Sequence, residues 1–215
     1  MRLLPAITLG LLLPAAAAAA ADEAPPPSGR PPSQVILEFG WATPYGDLGG
    51  EFDNTELGFG ATDGMQAGFR WRWYATEHFS LSPAFHLNDW GNLSGTNEAL
   101  GDYRVECYTY AYTLEAMLRT SDRRAAVRPF LGLAAGLFRD RVVGYTKTFT
   151  KSFDESVNTL GVALRAGFAV SDLEFSVVYN LNRFDTWRFF DTGIDQPYDW
   201  DNLVIRGAWS IPFGT

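Results

Sequence analysis

Apolar and polar residues alternate with a period of two through eight segments of the 215-residue chain, and this leaves few folds open. Successive side chains of a strand point to opposite sides, so each segment is a strand with one apolar and one polar face. In residues 173–182, Leu173, Phe175, Val177, Tyr179 and Leu181 alternate with Glu174, Ser176, Val178, Asn180 and Asn182. In residues 203–213, Leu203, Ile205, Gly207, Trp209, Ile211 and Phe213 share one face. The pattern recurs in residues 35–41, 65–73, 79–87, 108–118, 127–137 and 160–170. No apolar face carries a charge. The opposite faces hold Glu38, Gln66, Arg70, Arg72, Ser80, Ser82, His86, Asn88, Thr109, Thr113, Glu115, Arg119, Arg128, Arg165, Glu174, Asn180, Asn182 and Arg206.

The connections set the topology. Short turns at 75–78, 121–125 and 171–172 alternate with long polar stretches at 43–63, 89–103, 140–156 and 185–201. Strict alternation of short and long connections predicts an all-β fold, an eight-stranded antiparallel up-and-down barrel with both ends on the short-turn side. No window after the N-terminal segment reaches 18 consecutive apolar residues, so no transmembrane helix is expected there.

Two barrels satisfy this pattern. A soluble, lipocalin-like barrel turns its apolar face inward and carries an apolar ligand; a transmembrane barrel turns it toward lipid and fills its lumen with polar groups. Three features favour the transmembrane form. The polar faces use Arg, Ser, Asn and Gly but no Lys, which occurs only at Lys147 and Lys151 in one loop. Arg suits an enclosed lumen because its planar fork shares hydrogen bonds with carboxylates. Aromatic residues (Trp41, Trp71, Trp73, Phe79, Tyr108, Trp209 and Phe213) sit near the ends of apolar faces, as interfacial girdles require. Small residues such as Gly68, Ala84, Ala111, Gly132, Gly136, Gly161 and Gly167 punctuate the inward faces of a narrow interior.

The N-terminus reads as an address. Arg2, the apolar run to Leu13 and the alanines ending at Ala21 follow the pattern of a secretory signal over residues 1–21. Residues 22–33 form a Pro-rich flexible leader, and 34–215 the barrel domain. A net charge of −8 argues against nucleic acid as a partner, since a phosphate backbone demands a basic face. One Cys and two His leave no basis for a disulfide or a Cys/His zinc cluster, and Cys107 reads as a lumen filler.

Signal, eight strands, four long connections and the closing strand at 202–213 together make the chain resemble the small outer-membrane barrels of the OmpA/OmpX type, over essentially its whole length. The resemblance implies a place in the outer membrane of a Gram-negative-type cell envelope. It also implies contact with the lipid bilayer and lipopolysaccharide, and insertion by the barrel-assembly machinery. Members usually end on an aromatic residue, whereas Gly214 and Thr215 follow Phe213 here. No peptidoglycan-binding domain follows the barrel, so a cell-wall linking role is not expected.

The residues bear on three functions. Eight strands enclose an interior that side chains just fill, so the lumen residues Glu38, Arg70, Arg72, His86, Glu115, Arg119, Arg128, Arg165, Glu174 and Arg206 are expected to form a salt-bridged plug, with a narrow small-solute pore as the alternative. Catalysis is not expected: His86 points into the lumen, His78 lies in a short turn, and no His reaches a long loop. No cofactor or metal centre is expected. The fourth loop gathers Asp185, Trp187, Asp191, Asp195, Tyr198, Asp199 and Trp200 as a candidate surface for an extracellular ligand or divalent cations, and the first holds Asp47, Glu51, Asp53, Glu56 and Asp63. The resulting expectation is a non-enzymatic barrel, porin-like in form, with a structural or surface-interaction role.

Overall fold

A computed structural model describes residues 33–49, 60–97, 101–120, 125–146, 153–187 and 196–213. The expected signal, most of the leader, Glu51, Asp53, Glu56, Lys147, Lys151, Asp191 and Asp195 lie outside these residues, as do the side chains of Asp185 and Trp187.

The eight alternating segments form the eight barrel strands: β1 (Ser33–Pro44), β2 (Thr62–Tyr74), β3 (Phe79–Gly91), β5 (Gly101–Arg119), β6 (Arg128–Thr146), β7 (Phe153–Val170), β8 (Leu173–Leu181) and β11 (Asn202–Phe213). Each pairs antiparallel with its neighbours. β1 closes on β11, with Ser33 opposite Phe213, and β3 pairs directly with β5. Among the described residues three short strands decorate the long-loop end: β4 (Leu93–Asn97), which adds to β5, and the hairpin of β9 (Arg183–Trp187) and β10 (Gln196–Asp199). Among the described residues one 3-10 turn is present, at Gly46–Leu48.

Burial follows parity. Outward residues are exposed although apolar: Phe39 is 63% accessible, Leu133 54%, Leu164 53% and Ile205 63%. Inward residues are buried although polar, with Glu38, Arg70 and Ser82 at 0%. In water each such exposed side chain would forgo about 1.5–3 kcal/mol of burial, so a continuous outward band of them belongs in lipid. The soluble alternative, with its apolar face turned inward, is not what the strands adopt. Cross-strand ring contacts lace the band, Phe69 to Phe85 at 6.0 Å and Phe85 to Tyr112 at 5.0 Å. At the short-turn end Trp71 and Trp73 meet edge to face at 5.3 Å.

The upper limit of the band is sharp on one side of the barrel. Across β3, β5, β6 and β7 one outward row reads Phe85, Tyr112, Leu137 and Leu160. The next row toward the long loops reads Leu87, Tyr110, Arg139 and Asn158, and the one after it Asp89, Tyr108, Arg141 and Ser156. Pairing continues past this boundary. Much of the stretch expected as a loop at 140–156 is strand, because β6 runs to Thr146 and β7 starts at Phe153. The apolar pattern fades there since the outward side chains leave lipid, while the backbone ladder still needs its partners.

Inward glycines let large side chains cross the narrow lumen. A Cβ on Gly68 would collide with the His86 ring and lie 2.5 Å from the Phe85 carbonyl oxygen. The backbone oxygen cannot yield as a flexible side chain would, so Gly68→Ala is expected to cost on the order of 1–3 kcal/mol. Urea unfolding of the detergent-folded protein measures this, and an unchanged midpoint would show that the strands have slack.

Candidate functional site: the lumen

Alternation aims β1, β2, β3, β5, β7, β8 and β11 side chains at one point inside the barrel. Arg70 lies at its centre and holds three carboxylates: its Nε donates to Glu38 Oε1 at 2.9 Å, Nη1 to Glu115 Oε1 at 2.5 Å and Nη2 to Glu174 Oε2 at 2.8 Å. Arg72 grips Glu174 with both terminal nitrogens, Nη2 reaching Oε2 at 3.0 Å. Arg165 Nη1 lies 3.0 Å from Glu38 Oε1 and 3.3 Å from Glu115 Oε2, with its guanidinium 5.3 Å from the Phe130 ring centroid. Arg206 Nη1 donates to Glu38 Oε2 at 3.1 Å, and His86 Nε2 approaches the same oxygen at 2.5 Å. Both forks of every Glu in the cluster are therefore occupied, and a buried charge survives only with partners of this kind.

Eight of the ten expected lumen residues meet in this cluster. Arg119 and Arg128 do not, which corrects their placement in the plug. They sit at the ends of β5 and β6, so inward parity carries them only to the short-turn mouth. There Arg119 donates to Tyr74 Oη at 2.7 Å and stacks 4.0 Å from its ring, and Arg128 Nη2 donates to the Ser171 carbonyl at 2.6 Å.

Toward the long loops the lumen changes character. Trp90, Trp200, Tyr198, Leu48, Val105, Cys107 and Val142 pack into a buried apolar plug. One hydrogen-bonded chain crosses it: Trp90 Nε1 donates to Thr109 Oγ1 at 3.2 Å, Thr109 to Asp140 Oδ1 at 2.7 Å, and Asn182 Nδ2 to Asp140 Oδ2 at 2.7 Å. Between the two layers lies a cavity of about 20 Å³ lined by Gln66, His86, Asn88, Thr113, Asn180 and Arg206. That is room for a water molecule and too little for a solute.

The plug corrects the reading of the fourth loop. Tyr198 and Trp200 are 3% and 0% accessible, so they pack inward at the long-loop end and present no stacking surface. Burial, with Asp47 close by, raises the Tyr198 phenol above its usual range. The described acids near them tie the rim together. Asp199 receives Arg183 Nε at 3.5 Å, and its own N–H donates to Asp47 Oδ2 at 2.8 Å; Asp201 receives Arg183 Nη2 at 2.9 Å. Trp90, Asp140 and Val142 fall within 89–103 and 140–156, where the fading apolar pattern reads as loop. Parity would have found them: Trp90 continues the inward series Ser82, Ala84, His86, Asn88, and Asp140 and Val142 continue that of β6.

No protein-family profile matches the chain, and no curated protein matches it in sequence. Solved structures do match. Neisserial surface protein A superposes with a TM-score of 0.55 at 11% identity, covering 84% of this chain and 97% of that one. The attachment invasion locus protein Ail of Yersinia pestis, solved in complex with the heparin analogue sucrose octasulfate, gives 0.51 at 11% identity, covering 84% of this chain and 99% of that one. The chain thus has the fold of the small eight-stranded outer-membrane barrels.

Proposed function

We propose that the protein is a non-conducting, non-enzymatic barrel of the outer membrane, exported by a cleaved signal and inserted by the barrel-assembly machinery. Its role is structural or lies in surface contacts at the long-loop end. The observation that carries this reading is the filled lumen, an ionic cluster below and an apolar cluster above, with a water-sized cavity between them among the described residues. A pore needs a continuous wetted path, and a hydrolase needs an accessible nucleophile beside its base. His86, bound between Glu38 and Arg206, supports neither. Surface contact is favoured by the tall wall of β5, β6 and β7. Residues 153–158 of β7 pair with β6 and, among the described residues, with no ladder strand on their other side, while from Thr159, whose Oγ1 donates to the Arg183 carbonyl at 3.0 Å, β9 lies alongside. An open strand edge is a template for an extended partner. Acidic loop residues beyond the described ones would add sites for divalent cations.

Reconstitution into planar bilayers tests the closed lumen. The expected record is a flat baseline under applied voltage with folded protein demonstrably present. Discrete, reproducible current steps from the wild-type chain would overturn the reading in favour of a narrow pore.

A further inference from the structure

Every carboxylate of the ionic cluster has arginine partners, whereas the buried acid of the upper plug has none among the described residues. Asp140 is 0% exposed and lies between Phe138 and Val142 on the inward face of β6, with Thr109 of β5 and Val157 of β7 opposite it in register. Its two oxygens receive neutral donors, the Thr109 hydroxyl at 2.7 Å and the Asn182 amide at 2.7 Å. It stands past the row of Leu137, above the lipid-facing band. Burial pushes its carboxyl up to about 7, against the pull of those two hydrogen bonds.

The titratable groups around Asp140 bring it no cation. On β5 the Cys107 thiol lies in the same plug, itself pushed up to about 12 by burial and by Asp140, and Tyr103 packs against the plug. Glu155 of β7 is half-buried one inward position nearer the loops, and Tyr198 of β10 lies within the plug. Asp201, just before β11, accepts the Asn182 backbone N–H at 3.1 Å and is taken up by Arg183 at 2.9 Å. β3 and β11 contribute Trp90 and Val204, which do not titrate, and His86 and Arg206 line the cavity beneath.

A wholly buried carboxyl either keeps its proton or draws in water, because two neutral hydrogen bonds do not repay the desolvation of a charge. Neutral Asp140 needs one acceptor for its own O–H. Asn182 Oδ1 is buried with no partner, and turning that amide over brings it to Asp140. We propose that Asp140 is a proton-operated latch on the apolar plug: with its proton it keeps the long-loop end of the lumen dry, and without it the group draws water in and loosens the plug. In the loosened state the carboxyl is hydrated and titrates at its ordinary value. Its closing effect is therefore complete below about pH 4 and is lost as the pH rises to about 7. The ionic cluster lies beneath the cavity and takes no part in this opening, so the flat baseline expected in bilayers holds at either end of the range.

Cys107, 2% exposed and the sole cysteine of the chain, sits in the plug and so reports its opening. A water-soluble methanethiosulfonate is applied to the full chain folded in detergent. Its rate with Cys107 is divided by its rate with glutathione at the same pH, which removes the chemistry of the thiolate itself. In the wild type this quotient is expected to rise at least about tenfold between about pH 5 and pH 8. In Asp140→Asn, which cannot ionise, it is expected to stay level across the range, whatever its absolute value. A level quotient in the wild type, or an equal rise in Asp140→Asn, would overturn the latch. A Cys107 that stays unlabelled at every pH overturns it as well, because the plug then never opens. Should Asp140→Asn give no heat-shifted band on an unheated-versus-boiled gel, Asp140→Ser takes its place under the same outcomes.

Discussion

Arg70→Met is expected to destabilise the folded barrel by about 3–5 kcal/mol, because it strips one shared cation from three buried carboxylates at once. Arg165 reaches the same three groups, but at 3.0, 3.3 and 3.5 Å, and it is already committed to them. It therefore cannot replace contacts of 2.9, 2.5 and 2.8 Å made by a side chain of 0% exposure. Arg128→Met at the mouth is the control, since it removes one exposed bond and should cost under about 1 kcal/mol. Urea unfolding in detergent, followed by tryptophan fluorescence, reads both. Similar small losses for the two variants would mean that the lumen is wet enough to screen its charges, and the ionic cluster would then be no plug.

Leu133→Arg is expected to cost about 2–4 kcal/mol in a bilayer, and Leu137→Arg no more than about 1 kcal/mol. Both residues face outward on β6 and are 54% and 42% accessible, so neither substitution displaces a packed core. The difference comes from depth alone: Leu133 is in the middle of the apolar stretch, and Leu137 adjoins the row of Arg139. A charge near the boundary extends its head into the polar layer, while one at the middle cannot. Unfolding free energies in vesicles give the comparison. Equal costs at the two depths would contradict a bilayer around this band.

Much of this was legible because strand parity is a strict rule. A residue such as Arg165 or Glu174 has only two directions to point, and the apolar neighbours on either side decide which. That logic placed eight strands and brought eight lumen residues to one cluster. It failed where its premise lapsed. Past Leu137 the outward face is no longer apolar, so Asp140 and Val142 looked like loop residues although the ladder continues beneath them. At the other end, parity gives the direction of Arg119 and Arg128 but not whether barrel wall remains on the far side to enclose them. Tyr198 and Trp200 escape the parity rule for a different reason. Rings among acids read as a surface pattern, and only the fold of β9 and β10 over the mouth turns them inward.

The ionic cluster also bears on how such a chain can mature. Its partners are far apart along the polypeptide, Arg206 of β11 meeting Glu38 of β1 across 168 residues. No half-built sheet completes the contacts of these groups, because Glu38 Oε2 waits for the last strand to deliver Arg206. A partly formed intermediate must therefore keep its concave side hydrated, and the dehydration of that side coincides with the joining of the first and last strands. Closure becomes an all-or-nothing event late in biogenesis, and a chain stalled before it remains open to water and to proteolysis.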